Sequence, residues 1–330
     1  MFTPESAENL ARDMVLPKRG IVAHLTTPSG SVSSPICSIG IKTLLDMKAR
    51  VLDVDTRCEL EPPVMGGFPS SSDKSSVIAL ARDTRTLVYQ VTHSVMPLWQ
   101  VGSVEECNKC YLDLLEAHFH AYDLGRALHQ DISEVCALAR LGADGKVAGL
   151  LTDWDISCLV GEEGLGKRLA PQLRSGTTPF MAIDLQRQTV GNSAAAYHRY
   201  CHDLESFFWL LVWAVVHFDL TNGKRRLNCV NARWARSWKD SVRFKRDTLN
   251  NGDALDQVLD DALDMWEDVV KGWVKPLVRM LDSIRQGSMR WDDNDSKVFD
   301  DDAYAKGLTF EAFMHTIKET PREWAHEKEA

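Results

Sequence analysis

The chain lacks any long hydrophobic run. Its most apolar stretch, Phe207–Phe218, stops at Asp219 and is too short to cross a bilayer, which takes about 20 residues. It predicts a buried helix in a soluble protein with no membrane partner. The chain also lacks a surplus of positive charge. Its 38 Lys and Arg face 47 Asp and Glu, for a net charge of −9. That balance argues against a sequence-independent nucleic-acid binder, which displaces counterions with excess cations. Lys224, Arg225 and Arg226 form only a local basic patch. Met1–Arg12 is polar and acidic without the apolar core of a signal peptide, which predicts that none is present there. Cysteine pairing is missing as well. Of the 8 cysteines, Cys107 and Cys110 form a lone C-x-x-C with no second pair at metal-ligand spacing. That pair falls within a helical pattern, so it predicts two thiols on a helix face. Reduced thiols of this kind fit an intracellular protein, cytoplasmic or nuclear.

What is present organises the chain. Thr3-Pro4 starts a helix over 4–14, with a hydroxyl cap and proline where its missing N–H costs nothing. Ile21–Leu25 predicts a short strand. The segment 26–76 reads as irregular, with Ser, Pro and Gly clustered on either side of the apolar stretch Ile39–Val54. Val77–Ala81 and Thr86–Val91 then predict two strands joined by Arg82-Asp83-Thr84. Ser103-Val104-Glu105-Glu106 is a capping box ahead of an amphipathic run through Tyr122. Leu128–Ser133 reads as short and extended, and Ala137–Leu151 as a hairpin turning at Gly142–Gly145. From His202 the chain is mostly helical, with the acidic run Asp292–Asp302 read as a solvated loop.

Four motifs stand in order: His129-Gln130-Asp131-Ile132-Ser133, Thr152-Asp153-Trp154-Asp155, Ser175–Asp184 with its Gly176-Thr177-Thr178-Pro179-Phe180-Met181-Ala182-Ile183 core, and His202-Asp203-Leu204-Glu205-Ser206. Phosphoryl transfer needs one carboxylate beside the acceptor hydroxyl and a second on magnesium, which prefers oxygen ligands. Asp131 suits the first role and Asp153 the second. A hairpin between them would fold both loops toward one cleft.

In these motifs the chain resembles the fungal-type protein kinases, which carry a catalytic loop, a metal loop, an activation segment and a buried helix in this order. The resemblance implies an α+β, protein kinase-like fold. A mostly helical C-terminal lobe, 96–330, would follow a truncated or degenerate β-containing N-terminal lobe, 1–95. It implies a catalytic loop at 129–136, a metal loop at 153–155, an activation segment at 156–184 and a buried helix at 203–217. ATP and Mg2+ would be the cofactors, with Asp153 as the metal ligand, and a protein the substrate or partner. His129, Asp184 and Asp203 would be structural, Asp203 holding the catalytic-loop backbone. The helix over 4–14 resembles the family's helix C, with Glu5 or Glu8 pairing the nucleotide-holding lysine.

Several features depart from the family pattern. Cys136 stands where the family has a second-metal Asn, and a thiol is a poor magnesium ligand. The Gly-rich loop and its strand lysine are not visible, and Lys42 and Lys48 lack the strand–glycine–strand context. Gln130 replaces an arginine that can meet a phosphorylated activation loop. Asp184 replaces a glutamate one methylene longer. The resemblance thus implies a Ser/Thr-type phosphotransferase weakened or inactive as encoded. The alternatives are a pseudokinase that binds or scaffolds without catalysis, and a small-molecule phosphotransferase. Glu134 and the acidic stretch at Asp292 would suit basic partners.

Overall fold

The computed structural model describes residues 19–26, 54–59 and 86–93 as backbone strands. It also describes residues 95–322 apart from 143–144, 162–176, 188–196, 228 and 230–237. The expected helix over 4–14 with Glu5 and Glu8, the lysines Lys42 and Lys48, and the Val77–Ala81 strand lie outside the described residues.

Three strands form the first compact unit. They are β1 (Arg19–Thr26), β2 (Val54–Glu59) and β3 (Thr86–His93), in the order β1-β3-β2. β3 is rich in β-branched and aromatic residues, which favours a central strand. It pairs antiparallel with β1 from Arg19↔His93 to Thr26↔Thr86, and with β2, with an irregularity between Val54 and Thr56. One expectation is corrected here. The segment 26–76 is not irregular throughout, because β2 lies in it. The described partners of β3 are β1 and β2, so its pairing is long-range.

The second unit takes in the residues from Met96 onward. β4 (Val95–Pro97) is followed by α1 (Val104–Asp123), whose N-cap Ser103 accepts a hydrogen bond from the Glu106 amide at 3.1 Å. β5 (Ala127–Leu128) comes next, then the hairpin of β6 (Ala137–Leu141) and β7 (Val147–Leu151). The hairpin pairs antiparallel from Ala137↔Leu151 to Leu141↔Val147 and lies beside β4 in the order β4-β6-β7. α1 packs so closely on β7 that a Cβ at Gly149 would lie 2.2 Å from the Cys110 carbonyl oxygen. That approach leaves room only for glycine, whose amide donates to Asp113 at 2.7 Å. Cys107 and Cys110 both point into this core.

β8 (Cys158–Leu159) pairs with β5, and α2 (Ile183–Arg187) precedes α3 (Tyr200–His217). α3 is apolar on all sides and buried from Cys201 to His217, as a central core helix must be. Tyr111 of α1 donates its hydroxyl to the Phe207 carbonyl at 2.8 Å, locking two helices at the centre.

Beyond the short hairpin β9 (Phe218–Asp219) and β10 (Lys224–Arg225), α4 (Trp238–Asn250), α5 (Gly252–Leu259) and α6 (Lys275–Gly287) cover α3. The acidic run is not a loop. β11 (Met289–Trp291) and β12 (Lys297–Phe299) form a hairpin whose turn is tied by Asp292, and Asp300 caps α7 (Asp301–Gly307) by accepting from the Asp302 and Ala303 amides. Three-residue strands with exposed polar residues leave little periodic signal. α8 (Phe310–Thr316) follows, and Arg322 then returns to α1 and pairs with the buried carboxylates of Asp113 and Glu116. No helix among the described residues is long and apolar enough to cross a membrane.

Candidate functional site

The loop after β5 is organised from behind by one carboxylate. Asp203, in the first turn of α3, is fully buried and accepts hydrogen bonds from the His129 amide at 2.9 Å and the Gln130 amide at 3.2 Å. His118 of α1 reaches the same carboxylate at 2.8 Å and His198 at 2.6 Å. Burial alone would raise the Asp203 pKa, but the two histidines outweigh it and hold it well below the usual carboxylate range. Gln130 adopts a left-handed backbone, φ 70°, which a residue with a Cβ resists. Its amide bond to Asp203 offsets that cost, and its side-chain amide donates to Cys158 of β8 at 2.8 Å.

Asp131 follows, half-buried. Its Oδ1 accepts from both the amide and the hydroxyl of Thr177, at 2.9 and 3.0 Å. The carboxylate is therefore oriented by the segment that leads into α2. Asp153 lies on the other side of the β6–β7 hairpin, half-buried and also left-handed at φ 64°. The two loops are stitched together by His129, whose ring contacts the Thr152 carbonyl at 2.8 Å and packs 4.6 Å from Trp154. Burial lowers the His129 pKa to about 4, so the ring is neutral at ordinary pH and donates Nε2–H to that carbonyl.

Cys136 sits where both loop carboxylates act on it. Burial first, then the charges of Asp131 and Asp153, push its thiol up to about 12 against opposing bonds to Ser133. It is 1% exposed, and its Sγ accepts from the Ser133 amide at 3.1 Å and bonds the Ser133 carbonyl at 3.2 Å. A protonated thiol turned into its own loop does not fit a magnesium site. The Asp153 carboxylate has the oxygen chemistry such a site requires.

The Thr177–Ile183 segment is clamped from below. The Ile183 amide donates to Glu205 at 2.9 Å, and Asp184 forms a two-pronged pair with Arg285 at 2.8 and 3.0 Å. The shorter Asp184 carboxylate therefore still reaches its cation. Lys245 donates to the Thr178 and Met181 carbonyls at 3.2 and 2.5 Å. Glu134 is not available to basic partners. It is buried, accepting from Trp213 at 2.8 Å and pairing with Arg225 at 2.7 Å.

The structure thus gathers Asp131, Cys136 and Asp153 at one place, with His129 tying their loops and Asp203 and Asp184 buried behind them. Thr177, His118, His198, Lys245 and Arg285 carry contacts that their local sequence spacing does not advertise. His118 and Arg285 reach carboxylates that only the folded chain brings near.

By architecture the chain is an α+β protein with a helical unit built around one buried helix. The sequence model of the fungal protein kinase family matches residues 31–215, and the chain belongs to that family. No curated protein matches it.

Proposed function

We propose that this chain is a protein kinase-like phosphotransferase of reduced activity, which moves the ATP γ-phosphate to a Ser or Thr hydroxyl of a protein. The observation that carries this reading is the double hydrogen bond from Thr177 to Asp131 Oδ1. With Oδ1 engaged, Oδ2 is the oxygen that would take the proton of an acceptor hydroxyl. Asp153 would hold the Mg2+ that neutralises charge on the phosphates. The His129 ring, packed on Trp154 and bonded to the Thr152 carbonyl, ties the two loops together.

A specific observation favours reduced activity. The Cys136 thiol is protonated and hydrogen-bonded within its loop, so it supplies no second oxygen ligand. Loss of one pre-organised charge-stabilising group costs roughly 2.7–4 kcal/mol, about 10²–10³ in rate. The same observation supports a second reading, a binding module without catalysis.

Thermal melting of the full chain with Mg2+ and excess ATP tests both. A ligand that binds only the folded state adds about 2.7 kcal/mol of stability at a hundredfold excess over its Kd, and so raises the melting midpoint. An upward shift, with phosphate transfer to casein that Asp131→Asn abolishes, supports the phosphotransferase. A shift without transfer leaves the binding module. Transfer that survives Asp131→Asn refutes the role given to Asp131.

A further inference from the structure

Lys245 stands on α4 with its side chain fully buried, where lysine is almost never found without a partner. Its ammonium meets backbone. Nζ donates to the carbonyls of Thr178 and Met181 and lies 5.2 Å from the centre of the Trp209 ring. Gln186 donates to the same two carbonyls, and Ser241 touches that of Thr178 at 3.4 Å. Thr178 is the neighbour of Thr177, both of whose donors orient Asp131. An unbroken set of contacts therefore runs from α4 to the reacting end of the site.

We propose that Lys245 is a positioning residue for the acceptor side: by holding the Thr178 and Met181 carbonyls it sets Thr177, and through Thr177 the orientation of Asp131. The inference rests on the phosphotransfer reading of Asp131 and adds a device that governs it. The groups around the lysine decide how the device responds to pH. Glu205 on α3 faces it, and Glu205 is shared with Arg285 from α6, Tyr304 from α7 and Trp209 beside it on α3. Asp184 takes the fork of the same arginine. Burial brings the Lys245 pKa down to about 7 against the favourable charge of Glu205. The ammonium thus gives up its charge in the neutral range, and its grip on the two carbonyls weakens as pH rises.

The test is Lys245→Met in the full chain. Methionine keeps much of the stem, and Gln186 still serves both carbonyls, which favours a folded variant. Amide exchange is followed by mass spectrometry at pH 6.5 and compared between peptides spanning 177–183 and those of α3. Expected is exchange at least tenfold faster in 177–183, with α3 unchanged within twofold. No change in 177–183, or an equal rise in α3, overturns the inference. Should the methionine variant fail to fold, Lys245→Gln is judged by the same criterion. The pH profile of kcat/KM for transfer to casein adds a readout that packing alone would not move. The wild type should break near pH 7, and Lys245→Met should lack the break. A profile common to both overturns the positioning role. If the wild type transfers no phosphate, the phosphotransfer reading falls on its own, and the exchange comparison still decides what Lys245 holds.

Discussion

Asp203→Asn is the perturbation that most directly probes how the site is built. The carboxylate serves four donors, the amides of His129 and Gln130 and the rings of His118 and His198. Asparagine has one carbonyl oxygen and turns an NH2 toward whatever faces its other side. At least one pair of donors must then lose its acceptor. Breaking a buried, hydrogen-bonded charge of this kind costs about 3–5 kcal/mol. For a unit of this size each kcal/mol moves the melting midpoint by about 2–4 °C, so a fall on the order of 10 °C is expected. The assay is urea unfolding and thermal melting of both chains at pH 7. The sign in pH is fixed by the depressed Asp203 pKa. Its contribution is complete above the unfolded value of about 3.9 and disappears only as pH falls through the lower folded value. Wild type and variant should therefore stay apart from pH 7 to below pH 4 and converge only in stronger acid. A loss under about 1 kcal/mol at pH 7 would refute the claim that this carboxylate organises the loop.

Three further outcomes are expected. Asp184→Glu restores the length usual in the family, yet the fork to Arg285 already closes at 2.8 and 3.0 Å; the added methylene should overpack the site and cost about 1–3 kcal/mol in urea unfolding, and a gain in stability would show that the shorter residue strains the pair. His129 and His202 are buried, and burial takes their pKa values to about 4 and about 3. Their share of stability is complete above pH 6.5 and lost as pH falls toward 4, so melting midpoints should drop steeply over that window, and a flat profile would contradict neutral buried rings. Cys136→Asn places an amide oxygen near Asp153 and should raise phosphate transfer about tenfold or more, with a steeper Mg2+ dependence; an unchanged rate would mean that the thiol is not what limits the site.

The elements with strong local signals were legible in the chain. Ser103 and Glu106 announce the start of α1, and the unbroken apolar residues of α3 announce a helix without a solvent face. The β6–β7 hairpin follows from two apolar runs around Gly142–Gly145. β2 was lost because its Val-Asp-Thr-Arg-Cys-Glu alternation is short and sits beside the more apolar Ile39–Val54. The hairpin of β11 and β12 was lost because each strand has only three residues, too few to show an alternation beside the acidic turn. At the site, motif order pointed to Asp131 and Asp153. What could not be read was the support beneath them. Lys245 meets carbonyls, and every residue has one, so no sequence pattern marks its partners. Arg285 looks like any amphipathic-helix arginine until α6 docks on α2. Glu134 looked exposed because a charge in a loop normally is, and only Trp213 and Arg225 explain its burial.

The return of Arg322 to α1 has a consequence for the way the protein is made. Asp113 and Glu116 are buried 0% and 2% exposed, and the arginine that neutralises them lies 206 residues beyond Glu116. At roughly 5–20 residues per second, a ribosome needs on the order of 10–40 s to deliver it. Until then the inner face of α1 carries two carboxylates without this arginine, although the Gly149 amide already serves one oxygen of Asp113. The ion pair that completes this face therefore cannot form before Arg322 has been made, whatever the intrinsic speed of helix formation.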